Sequence, residues 1–159
     1  MSKHRITLML CLSLLASLSI GQMAGGGMAP PEFHAEKAAG IFYYDADQVI
    51  KKMKITDEQD KLKVIEALFA YNGKMSELST ENAPVFRELE NEFNRNVKIA
   101  MQNRDRSQMD GVREKIKGTI PPIKMQVFEV EKVLNNTMRL ILSDKQNKKW
   151  LKYQGRKKG

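Results

Sequence analysis

Thiols and imidazoles are almost missing from this 159-residue chain, which holds one cysteine and two histidines. Cys11 and His4 both lie near the start, so His34 is the one imidazole in the rest of the chain. This scarcity argues against a disulfide framework, a thiolate metal site or a His-based nucleophile triad. No Gly-rich phosphate loop is present either. Strand-like alternation of useful length is lacking, and only five prolines interrupt a chain well supplied with Lys, Glu, Gln, Met and Leu. That balance favours helix. The expected fold class is all-α, with four to five amphipathic helices in an elongated, bent, hairpin-like array.

The first residues form a separate unit. Lys3, His4 and Arg5 precede the mostly apolar run Ile6–Ile20, and a Gly/Ala/Pro stretch, Ala24–Pro31, comes after it. Charge, apolar run and small residues in that order predict a secretory signal peptide over residues 1–21. Cleavage after Ser19, Gly21 or Ala24 is compatible with the pattern. The run is about 15 residues, short of the roughly 20 needed to span a membrane; an uncleaved anchor helix is the alternative. Leu10 precedes Cys11 where a lipoprotein signal wants a small residue, so Cys11 falls within the discarded peptide. The expected product is a periplasmic, cysteine-free chain of one domain.

Charge is unevenly distributed. Residues 22–143 carry 18 basic and 18 acidic side chains. The last sixteen hold Lys145, Lys148, Lys149, Lys152, Arg156, Lys157 and Lys158 against Asp144 alone. A neutral body with a basic end allows weak contact with an anionic membrane or cell-wall surface. Nucleic acid is not an expected partner of an exported chain.

A flexible leader is expected over residues 22–44, a single helical domain over 45–154 and a basic tail over 155–159. Ile41–Tyr44 reads as an apolar-aromatic patch that packs on the body. Asp45 is placed to cap a brief helix covering Val49, Ile50 and Met53. The next helix is expected from Thr56 to Asn72 or Gly73, with Leu62, Ile65 and Phe69, and beside them Val64, Leu68 and Met75, at helical spacing. Ser79–Pro84 reads as a turn, succeeded by a helix to about Gln102 with the stripe Phe86, Leu89, Phe93, Val97 and Ala100. Ser107 is the expected cap of a long segment in which Pro121-Pro122 ends one piece at Gly118 and Thr119 caps the next. A final helix is expected from Ser143 to about Gln154.

Two pentads repeat within this pattern. Ile55-Thr56-Asp57-Glu58-Gln59 and Leu142-Ser143-Asp144-Lys145-Gln146 each read apolar, hydroxyl, acidic, charged, glutamine. Each is predicted to form a capping box, in which the hydroxyl accepts from the N3 backbone N–H and the glutamine reaches back to the cap. Asp60 and Asn147 fill the positions where a staple partner for Ile55 and Leu142 would stand. Those two residues are therefore expected to pack further away. The pair resembles the LTxxQ signature of the Spy/CpxP family of bacterial periplasmic proteins. The likeness spans Val49 to Tyr153 and is carried by Ile55–Leu68 and Met138–Tyr153. Ile55 stands for leucine in the first copy and Ser143 for threonine in the second. The His- and Met-rich leader of some members is reduced to His34, Met23 and Met28.

The resemblance implies a thin, cradle-shaped helical dimer that acts as an ATP-independent chaperone for unfolded envelope proteins, or as an adaptor damping envelope-stress signalling. Two faces are candidates for client binding: Arg87, Arg95 and Lys98 on one helix, and Lys124, Phe128, Lys132 and Arg139 on another, where long basic stems flank an aromatic ring. The bland reading of both is a solvated helix face. Met53, Met75, Met101, Met109, Met125 and Met138 offer an adaptable surface but fall mostly on core stripes. Glu88, Glu90 and Glu92 alternate around their helix and are not expected to converge on a metal. Asn135-Asn136-Thr137 matches a glycosylation sequon by chance. No catalytic residue, metal or cofactor is expected, and the chain is read as a non-enzyme. A structural protein held to an anionic surface by its basic end is the third functional reading.

Overall fold

A hairpin of two long antiparallel helices organises the molecule. The computed structural model describes residues 32–158, so the expected signal peptide and residues 22–31 lie outside the described residues. Helix α1 (Ala35–Ala38) and helix α2 (Ala46–Met53) precede helix α3 (Glu58–Asn103); a 3-10 turn (Arg106–Met109) leads into helix α4 (Asp110–Ile141), and helix α5 (Asp144–Lys158) ends the chain's helical order. No strand occurs among the described residues. At 1.5 Å per residue, α3 is roughly 69 Å long and α4 roughly 48 Å.

Three expected interruptions are absent. Helix α3 runs unbroken through Gly73, the Ser79–Pro84 segment and Pro84 itself, and α4 runs through Gly118, Pro121 and Pro122. Proline in a helix interior costs about 3 kcal/mol, through the missing N–H and the ring clash. Here Pro84, Pro121 and Pro122 all sit on exposed faces, and Thr80, Lys117 and Gly118, whose carbonyls lose donors to these prolines, are exposed as well. The buried residues on either side, Met75 and Phe86 in α3 and Ile120 and Ile123 in α4, keep one phase across the prolines. Burial on a shared face outweighs the local penalty.

The first expected stripe of α3 is also corrected. Val64, Leu68, Tyr71 and Met75 are buried, whereas Leu62, Ile65 and Phe69 are exposed, Phe69 at 80%. The later stripe Phe86, Leu89, Phe93, Val97 and Ala100 is buried as expected. One core fills the base of the hairpin around Trp150, Met138 and Leu68, and a smaller one near the turn joins Phe93, Val97, Met109 and Val112.

The turn is closed by side chains other than the one expected. Arg104 takes the left-handed conformation at φ 54°, letting Asp105 N–H reach Ala100 O at 3.0 Å. Asp105, not Ser107, caps the 3-10 turn: its carboxylate accepts from Ser107 N at 3.0 Å. These Ser107 bonds hold the Asp105 carboxyl below the usual carboxylate range.

Residues 33–44 are an arm packed on the hairpin: Ile41–Tyr44 packs on the body as expected, and residues 33–40 pack there too, where the sequence predicts a flexible leader. Ala35, Ala39, Ile41 and Tyr44 are buried. Gly40, at φ 83°, ends α1 with Ile41 N–H on Glu36 O and Gly40 N–H on Lys37 O. The Asn72 amide clamps the arm from both sides: it accepts from Tyr44 N at 3.0 Å and donates to Tyr44 O at 2.8 Å. Glu90 accepts from Ala35 N at 2.8 Å and so caps α1. Helix α5 continues to Lys158, so most of the expected basic tail is helical.

Candidate functional site

The two pentads meet at the base of the hairpin, and they are not equivalent. The second forms its box: Ser143 N–H donates to Gln146 Oε1 at 3.0 Å, and Gln146 N–H points to Ser143 Oγ at 3.4 Å. In the first, Asp57 is the cap, accepting from Asp60 N at 2.9 Å, while Thr56 and Gln59 are exposed. The helix therefore starts one residue later than the hydroxyl pattern implies. A carboxylate beside the positive end of the dipole is at least as good an N-cap as threonine. Gln146 Nε2 lies 3.4 Å from Lys54 O, which ties the second box to the loop that precedes the first. Ile55 and Leu142 are both buried in the base core, so both pack away from their own helix starts.

Around this base lies an aromatic cluster. Tyr44 places its ring 4.9 Å from Trp150, 5.3 Å from Tyr71 and 5.0 Å from Phe42. Trp150 is fully buried, and its indole N–H donates to Asn135 Oδ1 at 2.7 Å. That bond occupies the asparagine of the sequon. Lys157 closes the cluster, with its ammonium 5.9 Å from the Phe42 ring centre and 5.8 Å from that of Tyr153. Burial pushes the Tyr44 and Tyr71 hydroxyls well above the ordinary phenol range, and the charge of Glu131 adds to both. This assembly binds the chain to itself.

The open surface lies on the other side of the hairpin. A groove of about 610 Å³ runs between α3 and α4. Its apolar lining includes Ala67, Ala70, Val130, Val133, Leu140 and Ile141, and Lys63, Glu66 and Lys74 supply charge along it. Ala70 precedes the arm-holding Asn72 by two residues, and Val133 precedes the Trp150 partner Asn135 by two. Two helical positions are about 160° apart around the axis. The arm and α5 therefore cover one face of the hairpin, and the groove opens on the opposite face. Within it Val133 is 66% exposed and Leu140 87%.

The two basic rows expected to bind clients do not form one site. Arg87, Arg95, Lys98, Lys124, Lys132 and Arg139 are all exposed, and Phe128 is 54% exposed. Lys115 reaches both Glu88 and Glu92 at 2.7 Å, which places the Arg87 row beside the first turns of α4. Lys124 begins the other row nine residues further along α4, about 13 Å towards the base. Lys132 is also engaged by Glu129 at 3.5 Å.

Glu88 and Glu92 do converge, but on the Lys115 ammonium, while Glu90 turns to the arm. A smaller hollow of about 450 Å³ beside α1 contains His34, Glu36 and Glu90. No group of three metal-ligating side chains occurs among the described residues. Nor is any described helix long and apolar enough to cross a membrane. The groove is hard to read from the sequence because Ala70 and Thr137 are inconspicuous alone. Its sole signal is the surplus of apolar positions on α4, where Val133 and Leu140 fall outside the buried phase. Comparison of the chain with protein families, curated proteins and solved structures gives no match.

Proposed function

We propose that this protein is a periplasmic, ATP-independent chaperone-like protein that holds unfolded envelope proteins along the groove between α3 and α4. The observation that carries this reading is the groove itself: an apolar strip on the uncovered face of a long hairpin, with charges of both signs at its edges. Isolated exposed apolar residues are ordinary, but a contiguous strip marks an interaction surface. Its open form suits loose capture of varied apolar segments. The resemblance of the two pentads to the Spy/CpxP signature points the same way, and the pentads act as the base that fixes the hairpin. A second copy of the chain is proposed to pack on Leu62, Ile65 and Phe69, whose three–four spacing matches a helix–helix seam.

The test is suppression of aggregation of three unrelated unfolded proteins, without nucleotide. The protein is expected to protect all three, and Val133→Asp with Leu140→Asp to lose most of the protection while melting unchanged. No protection at several-fold molar excess would overturn the proposal. A single stable envelope partner in a pull-down, without general protection, would favour the signalling adaptor.

A further inference from the structure

Helix α5 carries a second surface that chaperoning does not use. Trp150 and Gln154 are buried and Tyr153 is half-buried, which fixes the face α5 turns inward. Lys145, Lys148, Lys152 and Arg156, at steps of three, four and four, share the outward face, and Lys149 flanks them. The row runs about 16 Å. Among the described residues none of these five cations has an ion-pair partner. Glu58 and Asp60, at the same end of the hairpin, are taken by Lys61 and Lys63. Lys157 is turned back over Phe42 and Tyr153 and does not belong to the row. Exposed Lys54 stands beside its start, where Gln146 meets the Lys54 carbonyl.

We infer that this row docks the protein on an anionic phospholipid surface. Four cations in line with a fifth beside them, none ion-paired among the described residues, on a helix anchored by a buried tryptophan present a fixed, nearly straight array to the partner. The exposed neighbour is aliphatic Leu151, while the aromatic rings of α5 point inward. A headgroup surface accepts that combination, with basic heads at the phosphates and an apolar side chain at the boundary. Single-stranded nucleic acid would call for outward aromatic rings to stack on. Because α5 lies on the face that holds the arm, docking through it leaves the groove pointing away from the lipid. The inference stands independently of what the groove binds.

The test is co-sedimentation of the full chain with vesicles of phosphatidylcholine alone and of phosphatidylcholine mixed equally with phosphatidylglycerol. Binding is expected to be much stronger to the anionic vesicles and to weaken as salt rises. Each cation near such a surface is worth about a five-fold change in partitioning. Neutralising Lys148 and Lys152 to glutamine should therefore weaken binding about thirty-fold, and neutralising Lys145 and Arg156 as well by several hundred-fold. Neutralising Arg87, Arg95, Lys98 and Lys124 instead should leave it nearly unchanged, and Trp150 fluorescence reports that α5 stays docked. Equal binding to both vesicle types, equal loss in the two four-site variants, or tighter binding to a single-stranded oligonucleotide would each overturn the inference.

Discussion

Tyr44 and Trp150, separated by 106 positions in sequence, hold their rings 4.9 Å apart in the base core. One belongs to the arm and the other to the last helix, so their contact joins the two ends of the described chain over the hairpin. Removing the indole would leave a large cavity and orphan the Asn135 amide. Trp150→Ala is expected to destabilise the fold by about 3–5 kcal/mol. Denaturant titration followed by circular dichroism measures this. A loss well under 1 kcal/mol would show that the base does not depend on the pair.

Glycines 73 and 40 should respond in opposite ways to a methyl group. Gly73 lies in the interior of α3 with nothing within 4 Å of an added Cβ. Gly73→Ala should therefore stabilise by roughly 0.5–1 kcal/mol, through helix propensity and a less flexible unfolded chain. Gly40 has φ 83° at the end of α1. There alanine is strained in the left-handed region, by about 1–2 kcal/mol. Melting temperatures of the two variants should move apart; a shared direction would contradict the assigned backbone at one site.

Much of this architecture is legible in the residues. The stripe Phe86–Ala100, the Asp45 cap of α2 and the closing helix with Trp150 come from spacing and capping chemistry alone, and the structure places them so. What misleads are strong local signals overruled by distant contacts. Pro84 and Pro121-Pro122 read as breaks because their penalty is local, whereas the compensating burial of Phe86 and Ile123 comes from the facing helix. The phase of α3 near Leu62 is ambiguous, since apolar residues surround that part of the helix. Ile41–Tyr44 is legible as a packing patch, but the rest of the arm lies hidden for a related reason. Its anchors are Asn72 and Glu90, ordinary surface-type residues until the fold brings Tyr44 and Ala35 against them.

The unequal pentads make a sharp mutational contrast. Ser143 takes part in its capping box, so Ser143→Ala should cost about 0.5–2 kcal/mol. In the first pentad that cost moves to Asp57, whose carboxylate holds Asp60 N–H. Asp57→Ala should lose a similar amount, and Thr56→Ala should fall within about 0.5 kcal/mol of the parent, as exposed sites do. Equilibrium unfolding of the three single variants separates these outcomes. A Thr56 effect as large as that of Ser143 would restore the hydroxyl as the first cap.

Alkali should attack the aromatic base first. The Tyr44 and Tyr71 hydroxyls are buried without a well-formed hydrogen bond among the described residues, and burial raises both above the ordinary phenol value. In the unfolded chain each ionises near pH 10. The folded state holds these protons more tightly, so the contribution to stability is full below about pH 10 and declines as pH rises towards the folded values. In an ultraviolet titration, phenolate from Tyr44 and Tyr71 is expected only as the fold opens, in step with loss of helical signal. Tyr71→Phe removes a buried, poorly satisfied hydroxyl, so it should be neutral or stabilising at pH 7 and should shift alkaline unfolding upward. Both phenolates appearing while the helical signal is intact would show that the two hydroxyls reach solvent in the native state.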